Sequence, residues 1–251
     1  MLAIASLFFA ASCSENPDET PDPADTQKSC RVTGIGEVSD GDAYNTSYTY
    51  DNAGNLITRT DPDGAINFTY DADNKLTGLS FGVASAAITY DGNTLPYRID
   101  FAEDGEEFYY ILKSENGRYV AFESHYIEEG ESILEDVTNI TYDASGNVTS
   151  VESLEYDQDT DEFTTFGTVK NITHDDKKNP YTTSVALMIY ELLDGDEANL
   201  SANNVVNYTY DYGIETDVSN SYIYNEEDYP TKRDESGFSS PTTYNFSYSC
   251  E

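Results

Sequence analysis

The chain has no tryptophan, two histidines, three cysteines, and twelve lysines and arginines set against 48 acidic residues. Each shortage excludes something. Two histidines leave little material for a Ser-His-Asp triad or a histidine-rich transition-metal site. Both read as strand residues: His174 takes a place that tyrosine fills in other copies of a repeat, and His125 lies within FESHYIEEG. The scarcity of cations leaves a formal net charge of −36, a field that repels nucleic acid and anionic surfaces. Zinc-ligand spacings and phosphate-cradling glycine loops are missing. The apolar run Leu2–Ala11 is too short to span a bilayer as a helix.

What is abundant is tyrosine, with 22 residues, in a chain that is 38% hydrophobic. That is too apolar for a disordered chain and too polar for a thick two-sided core. Tyrosine suits strands, where the ring packs on the sheet and the hydroxyl is expected to stay wet. Three Tyr-Asp pairs, Tyr50-Asp51, Tyr70-Asp71 and Tyr90-Asp91, recur every twenty residues, each ending a run of alternating polar and apolar residues. Such a period signals stacked copies of one supersecondary unit. Here the unit reads as a β-hairpin: tyrosine ends a strand, aspartate opens the turn through its carboxylate, and glycine or asparagine completes it. Tyr142-Asp143 heads another full copy. Looser ones are NITHDDKKNPY, VNYTYDYG at Tyr210-Asp211, and SYIYNEEDYPTK at Tyr224-Asn225.

One segment departs from the pattern. In TSVALMIYELLDG, residues Val185, Met188, Ile189, Leu192 and Leu193 fall on one stripe of a helix near 182–194. Thr183 or Ser184 is expected to cap its start and Gly195 its end. Such a helix would cover a sheet face or plug one mouth of a barrel. The fold class is therefore all-β: an antiparallel meander of hairpins forming a curled sheet or barrel, with one short helix.

Acidic turns raise the question of calcium. Asp157, Asp159 and Asp161 in DQDTDEF have the alternating carboxylates that start a calcium loop. Glu162 stands where an EF-hand needs glycine and Thr168 where it needs a bidentate glutamate, so this is no EF-hand. Calcium is the one cofactor to consider, against a plain solvated turn. A carboxylate pair for glycoside hydrolysis is the enzymatic alternative, but 48 acids make closeness in sequence uninformative.

Residues 1–12 resemble a bacterial lipoprotein signal peptide, with Ala10, Ala11 and Ser12 leading into Cys13 as the residue to be lipidated. The basic residues that precede such a run are missing, which implies a start upstream of Met1. The other reading is an ordinary cleaved signal with an incidental cysteine. Residues 13–29 follow as an acidic linker, with three prolines and five acidic residues between Ser14 and Lys28. An acidic stretch after a lipidated cysteine resembles the surface-export signal of Bacteroidetes lipoproteins. Residues 30–251 form one hairpin-repeat domain. If Cys13 carries lipid, Cys30 and Cys250 remain as an even pair at its two ends, and in an exported protein a disulfide between them is expected, tying the first strand to the last; two buried thiols are the alternative.

The Y-D-x-x-G-N-[LV] element at Tyr50–Leu56 and Tyr142–Val148 resembles the YD repeat of Rhs-type proteins, which wind into β-shells. The whole span from Cys30 to Cys250, with DDKKNPY, LSANNV and FSYSC, is similar to Bacteroidetes lipoproteins of the DUF4595 type, described as porin-like in fold. That resemblance implies a fold and an address at the outer membrane surface, and no reaction. A membrane-spanning porin is disfavoured, because alternate strand positions are often Thr, Asn or Ser where an apolar band is needed. The expected function is a non-enzymatic, lipid-anchored envelope module, monomeric, binding a glycan or an envelope protein. The alternatives are a carboxylate hydrolase and a small YD-shell fragment enclosing another polypeptide.

Overall fold

The computed structural model describes residues 29–250 with the exception of Asp104. The expected signal peptide, lipidated Cys13 and most of the linker lie outside the described residues. Sixteen strands follow one another in the chain. The first eight are β1 (Cys30–Ser39), β2 (Asp42–Tyr50), β3 (Leu56–Asp61), β4 (Gly64–Tyr70), β5 (Leu76–Phe81), β6 (Ala84–Thr89), β7 (Arg98–Glu103) and β8 (Glu106–Glu115). The rest are β9 (Arg118–Glu128), β10 (Glu131–Tyr142), β11 (Val148–Asp157), β12 (Glu162–Lys178), β13 (Asn203–Asp211), β14 (Glu215–Tyr224), β15 (Pro230–Ser236) and β16 (Thr242–Cys250). Each pairs antiparallel with its neighbours in sequence, and β16 closes on β1 to complete a barrel. Cys30 stands opposite Cys250 in that closing pair and is disulfide-bonded to it.

Alternation decides which residues face inward. Val32, Leu56, Phe68, Leu76, Ile99, Leu112, Ile140, Val148, Val151 and Phe246 are buried in one interior cluster. The outer wall carries their polar alternates, bonded across strands. Thr141 and Ser150 hydroxyls lie 2.6 Å apart, Ser219 donates to Asn207 at 2.9 Å, and Lys170 bridges Asp211 and Glu215. An outer-membrane barrel has the reverse arrangement, apolar outside and polar within. This wall is built for water. Among the described residues no helix is long and apolar enough to cross a membrane.

The Tyr-Asp copies supply the turns of one end of the barrel. Asp51 Oδ1 accepts from the backbone N–H groups of Ala53 and Asn55, and Asp71 and Asp143 do the same in their own turns. Asn225 plays the same part before Tyr229. Gly54 and Gly146 sit at φ 87° and 91°, and a Cβ on either would come within 2.4 Å of the guanidinium of Arg31 or Arg118 laid across the turn. Glycine is needed there for conformation and for space.

The tyrosines differ from expectation. Three of the hydroxyls are taken up by the backbone and not left to water: Tyr50 donates to the Val32 carbonyl, Tyr70 to that of Leu56, and Tyr248 to that of Pro230, at 2.8–2.9 Å. Each ring points into the barrel and its hydroxyl ties one repeat to the repeat before it. Two of the looser copies are corrected as well. His174-Asp175 makes no turn, since β12 runs on to Lys178 through several bulges. Tyr210-Asp211 ends an odd-numbered strand and therefore lies at the opposite end of the barrel.

Sixteen strands enclose more space than wall side chains fill. The segment between β12 and β13 occupies it. A 3-10 turn (Pro180–Thr183), helix α1 (Val185–Asp194) and a second 3-10 turn (Glu197–Leu200) form a plug. Ser184 caps α1 by accepting from the Leu187 N–H, and Gly195 ends it in the left-handed conformation. The buried side is not the expected stripe. Ala186, Leu187, Ile189, Glu191 and Leu192 are fully buried, while Val185, Met188 and Leu193 are half-buried. A helix inside a barrel meets wall in nearly every direction, so no narrow stripe defines its contact.

Candidate functional site

The plug and disulfide share the end of the Tyr-Asp turns. Toward the other end, a cleft of about 360 Å³ opens between the plug's trailing loop, Asp194–Asn199, and the inner wall of β12–β16. Strand parity places Tyr208 and Tyr210 from β13, Asn220 from β14, Arg233 and Glu235 from β15, and Tyr244 from β16 on that wall. Phe238, in the β15–β16 connection, stands at the mouth, 42% exposed. A larger concavity of about 670 Å³ beside Phe108, Tyr110, Tyr126 and Glu135 is shallower, and the chemistry is concentrated in the plug cleft.

Arg233 is the centre of that chemistry. Its guanidinium lies 3.9 Å from the centroid of the Tyr244 ring and 3.8 Å from the Glu235 carboxylate. Opposite it, the plug brings in acids. Glu191 is 4% exposed and accepts from Asn199 Nδ2 at 2.7 Å. Burial pushes its carboxyl up to about 8, with the nearby Asp196 charge acting in the same direction. Burial likewise lifts Glu197, which lines the cleft, to about 7. A second interior arginine, Arg59 on β3, pairs with Asp61 and lies over the ring of Tyr190 from α1.

These buried acids make stability fall with rising pH. In the folded state Glu191 and Glu197 keep protons that they lose near 4.5 when unfolded. The folded form therefore binds more protons from about 4.5 up to about 8 for Glu191 and about 7 for Glu197, and unfolding free energy drops across each window by up to about 1.4 kcal/mol per pH unit. Relief of general acidic repulsion has the same sign, so the variant is decisive. Urea unfolding of Glu191→Gln should show a visibly flatter pH slope than the parent. Parallel slopes would mean that Glu191 is already ionised at neutral pH.

The residues singled out from sequence fare differently. Cys30 and Cys250 are brought together. Asp157, Asp159 and Asp161 occupy the β11–β12 turn, where Asp157 accepts from the Asp159 and Thr160 N–H groups and Asp161 from the Tyr156 hydroxyl. Among the described residues, the trio of potential ligand atoms within 4.8 Å of one another is Cys30, Glu227 and Cys250, two of which form the disulfide. His125 stacks on Tyr109 as an outer-wall strand residue, and His174 Nε2 meets the Ser201 hydroxyl at 2.9 Å. The string Gly78-Leu79-Ser80-Phe81-Gly82 spells G-x-S-x-G, but it runs along β5 with Ser80 paired to Asn67 and Ser85. The strained strand-to-helix elbow that motif requires is not there. Of the cleft residues, Tyr208 and Tyr210 read from sequence as one more hairpin, Gly195 as the end of the helix and Asp194, Asp196 and Glu197 as an acidic cluster beside it, whereas Asn220, Arg233, Glu235 and Tyr244 carried no sequence signal.

Comparison with known proteins follows the same division between architecture and chemistry. The RHS Repeat family model matches residues 31–66, from β1 into β4. No curated protein sequence matches the chain. A porin-like protein from Bacteroides uniformis shares the fold, with TM-score 0.57 and 11% identity over 87% of this chain and 98% of that one. A porin-like protein from Bacteroides vulgatus gives TM-score 0.59 and 12% identity over 88% and 99%. The chain carries a YD-type RHS repeat on a porin-like barrel.

Proposed function

We propose that this chain is a non-enzymatic, lipid-anchored module of the cell envelope, held at the outer membrane through Cys13, that binds a small polar ligand in the plug cleft. The observation that carries this reading is the inversion of the barrel: a polar outer wall around an interior filled by α1 and its flanking turns. Such a barrel neither spans lipid nor conducts. The linker enters at Cys30, on the plugged end, so a membrane anchor would leave the mouth of the cleft facing outward. The plug also removes the room that a shell enclosing another polypeptide would need.

One observation favours a second reading. Glu197, lifted to about 7 in a cleft shared with Asp194 and Glu235, has the protonation that a carboxylate hydrolase asks of its acid. Both readings are tested on the exported protein. Metabolic labelling with a fatty-acid analogue should mark it and fail to mark Cys13→Ala, and planar bilayers should show no conductance steps. Unlabelled parent protein or stepwise currents would overturn the first reading. Turnover of chromogenic glycosides, lost in Glu197→Gln, would establish the second.

A further inference from the structure

The two ends of the barrel differ in charge and in apolar exposure. Odd-numbered strands start at the Tyr-Asp end, so the eight turns joining each of them to the next strand lie at the opposite rim. No lysine, arginine or histidine falls in any of these eight turns. Cations gather at the other end, where Arg31, Lys75, Arg118 and Lys178 lie over Tyr50, Tyr90, Tyr142 and Tyr229. Near the rim, Arg59 takes up Asp61, and Lys170 takes up Asp211 and Glu215. Glu106, Glu107, Glu128, Glu129, Glu131 and Glu162 are exposed there and, among the described residues, pair with no cation.

Exposed apolar side chains single out the same rim. Among the described residues eleven large apolar side chains are exposed, and all but Ile223 belong to the rim turns or to the strand ends beside them. Val83 and Ile214 stand furthest out, 76% and 80% exposed, in the β5–β6 and β13–β14 turns. Scattered apolar residues on a surface are ordinary, whereas their confinement to one end marks an interaction surface. The shallow concavity of about 670 Å³ opens on this rim, and Phe108, Tyr110 and Tyr126 line it together with Glu106, Glu128 and Glu135.

Whatever covers such a rim must bring apolar groups and positive charge together. A second copy of the chain would set acid against acid, and an anionic lipid surface or a nucleic acid is repelled in the same way. A metal ion or a small polyamine suits the carboxylates and leaves Val83 and Ile214 in water. Lysine or arginine set among apolar side chains supplies both, and its long stem carries the charge over an aromatic ring. We infer that the open rim is a docking surface for a basic, amphipathic polypeptide. The partner's apolar side chains pack on the exposed rim residues, while its lysines or arginines pair with the rim glutamates and enter the aromatic concavity. The linker enters at Cys30, at the opposite end, so the rim is clear of the chain that leads to it. Docking here is independent of any ligand in the plug cleft.

The test is fluorescence anisotropy on the exported protein at physiological salt, with a labelled amphipathic Leu/Lys peptide, its Leu/Glu counterpart, and oligolysine of the same charge. The Leu/Lys peptide should bind, the Leu/Glu peptide should not, and oligolysine should bind about tenfold more weakly. Val83→Ser/Ile214→Ser, confined to two exposed turns and so harmless to the barrel, should cost about tenfold in affinity for the Leu/Lys peptide. Glu128→Gln/Glu129→Gln/Glu131→Gln should weaken binding and flatten its salt dependence. Asp73→Asn/Asp176→Asn/Glu226→Gln removes the same charge from exposed positions at the Tyr-Asp end and should leave binding unchanged. Equal losses from the two sets of acids, or equal affinity for oligolysine, would mean attraction by net charge alone and overturn the docking surface. So would a Leu/Lys peptide that fails to bind, or that binds Val83→Ser/Ile214→Ser as well as the parent. Sedimentation of the parent, alone and with phosphatidylcholine vesicles, checks the other occupants. Self-association or vesicle binding that is lost in Val83→Ser/Ile214→Ser would assign the rim to a second copy or to lipid and overturn the polypeptide partner.

Discussion

Removing the Cys30–Cys250 bridge should cost the domain more stability than any other single covalent change, about 2–5 kcal/mol. The bridge closes 220 residues of chain, and loop-closure entropy for so long a loop gives about 5 kcal/mol as an upper value. Its position adds to this. Cys30 and Cys250 begin the β1–β16 ladder, the one junction of the barrel between strands far apart in sequence. Every other ladder is a hairpin or a plug-linked neighbour that reforms locally. Without the bridge, closure relies on pairing the two chain ends, and β1 and β16 become edges whenever they part. Urea unfolding of Cys30→Ala/Cys250→Ala, and of the parent with and without reductant, measures the effect. A midpoint indifferent to reductant would show that the seam holds without its covalent link.

Leu187→Ala is the second large effect, a loss of about 3 kcal/mol with a range of 2–5. Leu187 is 0% exposed on α1, and the same interior cluster takes in residues of β1–β12 and β16. Truncation leaves a cavity that a closed barrel is poorly placed to collapse around, because each wall strand is fixed on both sides by its ladders. Val185→Ala, on the same helix but half-buried, should cost clearly less. Equal costs at the two positions would mean that the helix lies on the barrel as an amphipathic lid and not within it. The plug loop forms one wall of the cleft, so Leu187→Ala should also weaken any ligand held there.

The strands, the turns and the helix were legible in sequence because their causes are local. Alternation of apolar and polar residues has period two whatever the strand pairs with. Asp51, Asp71 and Asp143 each bond N–H groups two and four residues on, and the capping residues Ser184 and Gly195 act within one turn of α1. The same local logic misplaced Tyr210-Asp211 and His174-Asp175. Their letters match the repeat, but which end of the barrel a residue reaches depends on counting strands, and whether it ends a strand at all depends on pairing: β12 runs on past Asp175 to Lys178.

The tyrosine hydroxyls show the boundary most clearly. The ring's place in the alternation is a matter of sequence, whereas the carbonyl its hydroxyl reaches, fourteen to eighteen residues earlier in the chain, exists only once adjacent repeats are stacked. The cleft is a stronger case. Arg233, Asn220, Tyr210 and the plug loop come from three strands and an excursion, and no spacing in the chain relates them.

By itself, then, the sequence determined an all-β chain of hairpins, the chemistry of its turns, a single capped helix and a water-loving outer surface, since each follows from residues a few positions apart. Only the tertiary structure decided that the sheet closes, that the helix fills it, and that Arg233, Asn220 and the plug loop line one cleft. Those outcomes depend on the first strand meeting the last across the whole barrel, and apart from the cysteines at the two ends such long-range closure leaves no local trace in the chain.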